Sequence, residues 1–406
     1  MKTFHLLLAA VVPLAVAKAP LMHRDLADGI DDNYIVVMKS ATPKTFQAHY
    51  QRIHFTSSQR TKGTKKGVVK TYQVPGFNGY HVECDDATLD TIRNDPLVSY
   101  VARDGRVTAQ AAISHKAPRS NPQPNPWGLG RISHREPGVS TYLEEVVRIA
   151  QPPTYAYILD TGIRTTHQEF GGRASFGKNF IQGAQDVDDN GHGTHTAATV
   201  GGNTVGVNNN TMLIGVKVLD KDSSGSWSGI IAGIDWAVND AQTKGKLNRS
   251  VINMSIGGPR FQALDDVVKN AVSAGMTVVV AASNYGVDAC TYSPAAVPEA
   301  LTVAAIDEKD NRPDWSNWGA CVDIFAPGSN IYSAWMDSDT AYVSMSGTSM
   351  ACPHVAGLVT YLMSRESISD ASRISNRLID LGTRDKVQNV NGSPNIIAFN
   401  GNEAEL

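Results

Sequence analysis

The sequence predicts an α/β fold in which helices flank a parallel sheet, preceded by a small α+β unit of ferredoxin-like topology. After residue 126, short apolar runs rich in Val and Ile alternate with helical stretches, which is typical of a parallel sheet covered on both faces. Between about residues 32 and 106 the order of patterns is β-α-β-β-α-β instead. The chain has 406 residues, 42% of them hydrophobic, which is enough to bury a sizeable core.

The N-terminal residues have the pattern of a secretory signal peptide. Lys2 provides a positive start, an apolar run follows, and Ala-Val-Ala at residues 15–17 matches a small-residue cleavage site. Pro13 and the shortness of the run argue against a membrane-spanning helix. The alternative is a buried N-terminal strand, but the pattern favours a signal peptide at residues 1–17 and a secreted protein.

The ferredoxin-like unit is predicted element by element. "NYIVVMK" and "VVKTYQV" have the composition of strands, and "PKTFQAHYQRIH" is an amphipathic helix. "DATLDTIRNDPLVSYVARDG" predicts a second helix followed by a strand. The polar stretch "SHKAPRSNPQPNPWG" then indicates an exposed, cleavable or flexible boundary between two globular units.

The larger unit contains five buried strands by the same argument. They are "TYAYILD", "TMLIGVKVLD", "SVINMSIGG", "MTVVVAASN" and "ALTVAAI", and helical stretches such as "SGIIAGIDWAVNDAQ" and "ALDDVVKNAVSAG" lie between them. In parallel sheets of this kind, functional residues gather at the carboxyl ends of the strands. The residues that follow these strands are therefore the candidates for a functional site.

Three segments carry reactive side chains, and each alone has a simpler interpretation. Asp160 ends the strand "YILD" and alone would be a helix cap. His192 and His195 share a helix face in "GHGTH", yet the sequence lacks the Glu and the third ligand of a zinc site. Ser349 lies at the predicted start of a helix in "GTSMACPHVAG", where a hydroxyl is either an N-cap or a nucleophile.

Together the three segments predict a catalytic triad. A serine hydroxyl needs a base to take its proton, and the base needs an anion to fix its tautomer. Asp160, His192 and Ser349 occur in the order Asp–His–Ser, which is one of the known triad arrangements. Pro353 is tolerable in this helix because it falls in the first turn, where N–H groups have no intrahelical partner.

At these residues the chain resembles the subtilisin-like serine proteases, in particular the secreted fungal branch similar to proteinase K. The matching stretches include "ILDTGI", "NGHGTHTA", "VINMSIGG", "DIFAPGSNIYSAW" and "GTSMACPHVAG". The resemblance covers the chain from about Trp127 to Gly401, and the unit before it resembles the inhibitor-type propeptide of the same family. It implies a secreted serine endopeptidase. We expect broad specificity, with apolar or aromatic residues preferred before the cut, because the groove edges carry no acidic cluster that would select paired basic residues.

The resemblance also implies roles for individual residues. Asp160 orients His192, His192 is the general base, and Ser349 is the nucleophile. Asn284 becomes the side-chain oxyanion donor, although a strand-ending turn residue is the alternative. Trp227 resembles the aromatic lid of a subsite, with a core tryptophan as the alternative. The substrate is expected to bind by β-augmentation between two edges, formed by Ser224, Gly225, Ser226 and Trp227 and by Ser255, Ile256 and Gly257.

A structural calcium ion and a disulfide follow from the same resemblance. The family places an aspartate equivalent to Asp323 beside the carbonyls of Pro298 and Ala300, and hard oxygen ligands suit Ca²⁺. Cys290 and Cys321 are expected to pair, as in related secreted proteases. Cys84 and Cys352 are expected to remain free, and His354 to be structural.

The resemblance divides the chain into a signal peptide at residues 1–17, a propeptide at 18–111 and a peptidase unit at 112–406. The propeptide is expected to act as a folding template and intramolecular inhibitor, cleaved between Ala111 and Ala112. A parallel sheet with many non-local contacts folds slowly, which gives a physical reason for such a template.

Two residues depart from the pattern of the family. Ser283 stands where relatives usually have Gly, and Ala198 replaces a usual Gly in the helix after His192. If position 283 needs an unusual φ, Ser adds strain or narrows the wall of the specificity pocket. These departures motivate one alternative function, a weak pseudoprotease that acts as a secreted binding protein. A lipase or esterase is a second alternative, which the missing second Gly of a G-x-S-x-G motif disfavours.

Composition and motifs limit the partners. The net charge of -3 gives no electrostatic reason to bind nucleic acid or an anionic membrane. We expect a monomer that acts on protein substrates. Sequons predict glycosylation at Asn209, Asn248 and Asn391, whereas Asn253 lies in an apolar run and is expected to be buried.

Overall fold

Two sheets organise the chain, one for each unit that the sequence predicts. The computed structural model describes residues 17–40, 42–108, 113–114, 126–143 and 152–402. Most of the predicted signal peptide and the Ala111–Ala112 bond therefore lie outside the described residues. Within the described ranges, no helix is both long and apolar enough to cross a membrane.

The N-terminal unit confirms the ferredoxin-like prediction. Its elements are β1 (Leu21–Met22), β2 (Gly29–Met38), α1 (Pro43–Arg60), β3 (Gly67–Tyr72), β4 (Gly79–Glu83), α2 (Asp86–Arg93) and β5 (Val98–Thr108). The strands lie side by side in the order β1-β5-β2-β4-β3. The Thr42 hydroxyl caps α1 and the Asp85 carboxylate caps α2, which is why each helix begins where it does.

The C-terminal unit contains the remaining strands and helices. They are β6 (Ile113–Ser114), α3 (Trp127–Arg131), β7 (Thr154–Asp160), β8 (Ala174–Asn179), α4 (His192–Gly201), β9 (Thr211–Lys217), β10 (Ser224–Ser226), α5 (Trp227–Thr243), β11 (Ser250–Met254), β12 (Gly258–Pro259), α6 (Gln262–Ser273), β13 (Thr277–Ala281), β14 (Tyr292–Ser293), β15 (Leu301–Ile306), β16 (Ile324–Pro327), β17 (Ile331–Ala334), β18 (Tyr342–Ser346), α7 (Thr348–Arg365), α8 (Ala371–Leu381), β19 (Thr383–Arg384) and β20 (Ile396–Ile397).

Its main sheet has nine strands in the order β19-β20-β16-β15-β13-β11-β7-β9-β8. All neighbours are parallel except β19 and β20. Along β7, Ala156 and Ile158 face a core that includes residues of α4, α7 and α8, whereas Tyr157 and Leu159 face a core with α5 and α6. This confirms the predicted parallel sheet covered on both faces.

The N-terminal sheet packs against the outer side of α5 and α6. Ile35, Tyr72 and Tyr100 from this sheet lie in the same hydrophobic cluster as Ile230 and Val267. Its opposite face forms a separate core with α1 and α2. The smaller unit is thus docked on the larger one through a continuous apolar interface.

The cysteines and sequons have the environments that the sequence suggests. Cys290 and Cys321 form a disulfide with 5.2 Å between their Cα atoms, and Cys84 and Cys352 are free and buried. Asn253 is buried. The three sequon asparagines are exposed, so their glycosylation stays a prediction for Asn209, Asn248 and Asn391.

Candidate active site

An aspartate and a histidine meet at the carboxyl end of β7. Asp160 is the last residue of that strand and is completely buried. The Nδ1 atom of His192, the first residue of α4, lies 2.7 Å and 2.9 Å from the two carboxylate oxygens of Asp160. The Nδ1–H group therefore donates to Asp160, and the second nitrogen, Nε2, has no partner among the described residues.

The charge of Asp160 changes the acidity of His192. Burial disfavours the charged imidazolium, but the Asp160 carboxylate and its hydrogen bond, together with Asp188, outweigh burial and raise the pKa of His192. An imidazole in this setting accepts a proton at Nε2 more readily than an isolated one. This is the property that a general base requires.

Two glycines allow the turns after Asp160 and before Thr194 to approach each other. A Cβ atom on Gly193 would lie 2.1 Å from the carbonyl oxygen of Gly162, and Gly162 itself has a φ of 116°. Any larger residue at either position would separate the turns. The Gly-containing motifs thus bring Asp160 within hydrogen-bond distance of His192.

Asp188 joins these turns, and the sequence analysis did not identify it. Its carboxylate accepts five hydrogen bonds, from Thr161 Oγ1, from the N–H groups of Asn190, Gly191 and Thr194, and from Thr194 Oγ1. The partners come from both turns, so Asp188 fixes the start of α4 relative to the end of β7. The only signal in the sequence is a second acidic residue before "NGHGTH".

Ser349 lies in the first turn of α7, close to the residues that follow β11. Its Oγ atom donates to the carbonyl oxygen of Ser255 at 3.2 Å, and the Ser255 hydroxyl donates to the carbonyl oxygen of Ser349 at 2.9 Å. Ser349 is only 4% exposed. No hydrogen bond joins its Oγ to His192 Nε2 here, so the two atoms are not in their reactive contact.

The explanation for Pro353 in the sequence analysis is wrong. Pro353 is the sixth residue of α7 and lies beyond the first turn. In a regular helix its N–H would donate to the carbonyl of Ser349, four residues earlier. Because proline has no N–H, that carbonyl is available to the Ser255 hydroxyl, which donates to it. Pro353 thereby helps to tie the start of α7 to the end of β11.

Asn284 is oriented by Thr348, the residue before Ser349. Its Oδ1 atom accepts hydrogen bonds from the N–H and the hydroxyl of Thr348, each at 2.8 Å. With Oδ1 engaged in this way, the Nδ2 donors of Asn284 are directed away from Thr348. They are available to a ligand beside Ser349, as an oxyanion donor would need.

The first predicted substrate edge is occupied by the N-terminal unit. β10 pairs antiparallel with β5, and Ser224, Gly225 and Ser226 face Thr108, Val107 and Arg106 in turn. This is β-augmentation by the chain's own segment. In the second edge, Ser255 contacts Ser349, whereas Ile256 and Gly257 belong to no strand of the described chain.

Trp227 is 2% exposed and stacks on Phe261 with 4.9 Å between ring centroids. A Cβ on Gly258 would lie 2.8 Å from the Trp227 ring and 3.3 Å from Val107. Trp227 and Val107 thus border the same space. This arrangement agrees with a subsite wall that is covered while the N-terminal unit is bound.

Asp104 of the N-terminal unit forms a polar contact at the same place. Its buried carboxylate accepts hydrogen bonds from the N–H of Ser228 at 3.1 Å and from the Ser228 hydroxyl at 2.6 Å. Burial raises the pKa of Asp104, although His81 and the Ser228 donors oppose this shift. Ser228 lies in the first turn of α5, so Asp104 satisfies a free helix N–H. No motif pointed to this residue.

The other reactive side chains near Ser349 have structural environments. Cys352 donates to Asn253 Oδ1, and burial raises the pKa of its thiol. Burial lowers the pKa of His354 to about 4, and that of His195 to about 3. The described residues contain no cluster of three or more His, Cys, Asp or Glu that could hold a metal ion.

The predicted calcium site contains one buried carboxylate. Asp323 Oδ2 accepts from the N–H of Thr302 at 2.7 Å, and no Lys or Arg of the described chain pairs with it. Burial raises the pKa of Asp323 to about 6. A buried carboxylate without a cationic partner fits a calcium ligand, with main-chain carbonyls as the other donors.

Both departures from the family pattern lie at buried positions. Ser283 has a φ of 78°, a conformation that favours glycine, and it directly precedes Asn284. Ala198 is completely buried in the core that α4 shares with α7. The strain anticipated for Ser283 is therefore present, and the extra methyl group of Ala198 is accommodated in the core.

Known families match both units of the chain. Residues 157–392 match the Subtilase family, and residues 33–110 match the Peptidase inhibitor I9 family. The relatives include Alkaline protease 1 of Emericella nidulans, which is 43% identical over 98% of this chain and 97% of its own length. Subtilisin-like protease 2 of Pseudogymnoascus destructans is 41% identical over 98% of this chain and 96% of its own length.

A solved structure is similar as well. The crystal structure of a cold adapted subtilisin-like serine proteinase superposes with a TM-score of 0.61 at 40% sequence identity. The match covers 68% of this chain and 97% of that chain. The remaining third of this chain is thus outside the matched part.

Proposed function

We propose that Asp160, His192 and Ser349 are the catalytic triad of this chain. The chain belongs to the subtilase family and is a serine endopeptidase with an inhibitory propeptide. The observation that carries this assignment is the buried Asp160–His192 pair, which leaves His192 Nε2 without a partner. The raised pKa of His192 supports its role as the base. The reaction is hydrolysis of peptide bonds in proteins by acyl transfer, with broad specificity.

The hydroxyl of Ser349 attacks the scissile carbonyl carbon, and its proton moves to His192 Nε2. A rotation of the Ser349 side chain from the Ser255 carbonyl towards His192 precedes this step, because Oγ donates to Ser255 in the resting structure. His192 then gives the proton to the leaving amine, and an acyl-enzyme forms. Water attacks the acyl-enzyme by the same route, and Asp160 stabilises the imidazolium throughout.

The oxyanion is held by the Nδ2 group of Asn284 and by the N–H of Ser349. The bonds from Thr348 support this role, because they fix the orientation of the Asn284 amide before substrate arrives. The N-terminal end of α7 adds the favourable field of its free N–H groups. One donor of this kind contributes about 3–4 kcal/mol to transition-state stabilisation.

The segment that joins the two units is the first substrate. Thr108 is paired with Ser224, and Ile113 is paired with Ser346, three residues before Ser349. The proposed scissile bond, Ala111–Ala112, lies between these two paired positions. After removal of the signal peptide at residues 1–17, self-cleavage at this bond divides the zymogen into two parts. Residues 18–111 become the bound inhibitor, and residues 112–406 become the enzyme.

The mature protein is a secreted monomer with one structural calcium ion. Asp323 and the carbonyl groups of Pro298 and Ala300 hold the ion, whose charge would neutralise the buried carboxylate. The Cys290–Cys321 disulfide fits secretion, because such bonds persist in oxidising compartments. The disulfide closes the loop from Cys290 to Cys321, and Cys321 lies two residues before Asp323.

The proposal is tested by hydrolysis of casein by the wild-type full chain and by Ser349→Ala, with the N-terminus of each product determined. We expect the wild type to lose its propeptide and to hydrolyse casein. The variant is expected to retain the propeptide and to lose at least about a thousandfold in activity, because the nucleophile is absent. A fluorophosphonate should label the wild type at Ser349 and leave the variant unlabelled.

Ser344→Ala provides the matched control, since Ser344 lies in β18 and has no role in the proposed chemistry. It should be processed and labelled like the wild type. Equal casein hydrolysis by the wild type and Ser349→Ala would refute the triad. A wild type that is correctly folded but not labelled would indicate a pseudoprotease instead.

A further inference from the structure

The segments that follow two neighbouring parallel strands face each other, and we call the space between them the slot. Residues 255–257 follow β11, and residues 282–284 follow β13. Ser255 at one side accepts the hydrogen bond of Ser349 Oγ, and Asn284 at the other side is bonded to Thr348. The slot therefore opens beside the nucleophile and the oxyanion donor.

Ser283 lies in the wall of this slot in a strained conformation. Its φ of 78° is rare for a residue with a side chain, and its exposed fraction is 6%. The carbonyl of Ser283 accepts from the N–H of Asn317, whose Oδ1 also accepts from Tyr285 and Val287. These bonds hold the strained turn in place, and strain of this kind is concentrated at functional sites.

The side chain of Ser283 reaches across to the opposite edge. A Cβ atom built on Gly257 would lie only 2.5 Å from Ser283 Oγ, but 3.9 Å from Ser283 Cβ. The hydroxyl, rather than the Cβ, is thus the atom next to Gly257. It occupies space that a glycine at position 283 would leave open.

The slot receives one defined side chain of the substrate. The carbonyl under attack must lie between Ser349 Oγ and the Nδ2 group of Asn284. The residue that owns this carbonyl is on the acyl side of the scissile bond, and the slot is the space next to that residue in the proposed mechanism. A large ring there would meet the Ser283 hydroxyl.

We propose that the Ser283 hydroxyl closes this slot and makes the peptidase select small side chains, such as Ala, over aromatic ones on the acyl side of the bond. The proposal rests on the proposed function, because it needs Ser349 and Asn284 to act on the carbonyl. It differs from the sequence-based expectation of apolar or aromatic residues before the cut. One methylene group more or less in a hydrophobic pocket changes selectivity about 10–200-fold.

The test compares two peptide 4-nitroanilides that differ only in having Ala or Phe before the anilide bond. We expect the wild-type mature enzyme to prefer Ala, and Ser283→Gly to raise the ratio of kcat/KM for Phe over Ala at least about tenfold. Ser283→Ala keeps the Cβ and removes only the hydroxyl. It should produce most of the same change, because Oγ is the atom that reaches Gly257.

Ser367→Gly is the matched control, because Ser367 also has a positive φ, of 53°, but is exposed and follows α7. It relieves backbone strain and should leave the Phe-to-Ala ratio unchanged. The inference is overturned if the wild type prefers Phe and both Ser283 variants have the same Phe-to-Ala ratio of kcat/KM. In that case, hydrolysis of the anilides and fluorophosphonate labelling at Ser349 would still support the proposed function. Absence of both hydrolysis and labelling would overturn both.

Discussion

At the scale of single residues, Asp188 ties the two turns of the acid–base pair together. Its five hydrogen bonds join Thr161, which follows Asp160, to the start of α4, which carries His192. Its charge also contributes to the raised pKa of His192. It touches no reacting atom in the proposed mechanism, so it is a positioning residue.

Asp188→Asn should lower kcat/KM at least about tenfold and move the acidic limb of its pH profile to lower pH. His192 is active as a base only when neutral, and loss of the Asp188 charge lowers its pKa. The profile of kcat/KM against pH measures this shift. Asp186→Asn is the control at an exposed residue of the same charge, and the acidic limb of its pH profile should stay at the wild-type position. An unshifted acidic limb in Asp188→Asn would contradict the positioning role of Asp188.

Single residues with reactive side chains in Gly-containing motifs could be predicted from the sequence. Asp160 and His192 were identified from such motifs, and the structure brings them into contact. Asp188 could not be identified, because its role depends on a loop conformation that pairs it with two separate turns. The position of Pro353 within its helix could not be predicted, because it depends on where α7 begins. The helix begins at Thr348, so Pro353 lies beyond the first turn.

At the scale of elements, the pairing of β5 with β10 holds the propeptide against the proposed substrate edge. Three residue pairs form the ladder, and the Asp104 carboxylate caps the helix that follows β10. Hydrogen bonds to a charged group contribute about 1.5–3 kcal/mol each. Asp104 therefore reinforces a short ladder whose own contribution is limited.

Asp104→Ala should release the propeptide faster, because Ser228 loses the acceptor for its N–H and hydroxyl. We expect the lag before activity appears, after dilution of the freshly processed full chain, to shorten about tenfold or more. Hydrolysis of a peptide 4-nitroanilide over time measures the lag. If Asp104→Ala does not mature, the same lag is measured for Asp104→Asn. Asp90→Ala is the control at an exposed aspartate of the same unit and should have the wild-type lag. Unchanged lags in both Asp104 variants would refute the role.

The strands of the main sheet could be predicted because each is a continuous apolar run buried on both faces. β10 could not be predicted as a strand from pattern, because Ser224–Ser226 contains no large apolar residue and, among the described strands, pairs only with β5. The resemblance to a family identified it as an edge. Its pairing partner became known only from the structure.

At the scale of the whole molecule, the disulfide and the proposed calcium site secure one end of the sheet. Cys321 lies two residues before Asp323, and Asp323 exchanges main-chain and side-chain bonds with Thr302 at the start of β15. A bound ion stabilises the folded protein by its affinity for that state alone, about 2.7 kcal/mol at a hundredfold excess over its Kd.

Removal of calcium with a chelator should lower the Tm of the mature wild-type enzyme by roughly 5–10 °C. Asp323→Ala should have the same low Tm with and without calcium, because the only carboxylate ligand is gone. Differential scanning calorimetry in both conditions measures the effect. Asp337→Ala, at an exposed residue, should keep the calcium dependence. A calcium-dependent Tm in Asp323→Ala would rule out this site.

The pairing of β6 with β18 has a consequence for the direction of maturation. Ile113 is paired with Ser346, so the proposed cleavage before residue 112 would create an amino group that stays tethered beside the acyl-enzyme. A tethered group acts at an effective concentration in the millimolar range. The new amino terminus therefore competes with water for the acyl group and can re-form the bond. Departure of this short strand from β18 removes the competing amino group and thereby commits the acyl-enzyme to hydrolysis by water.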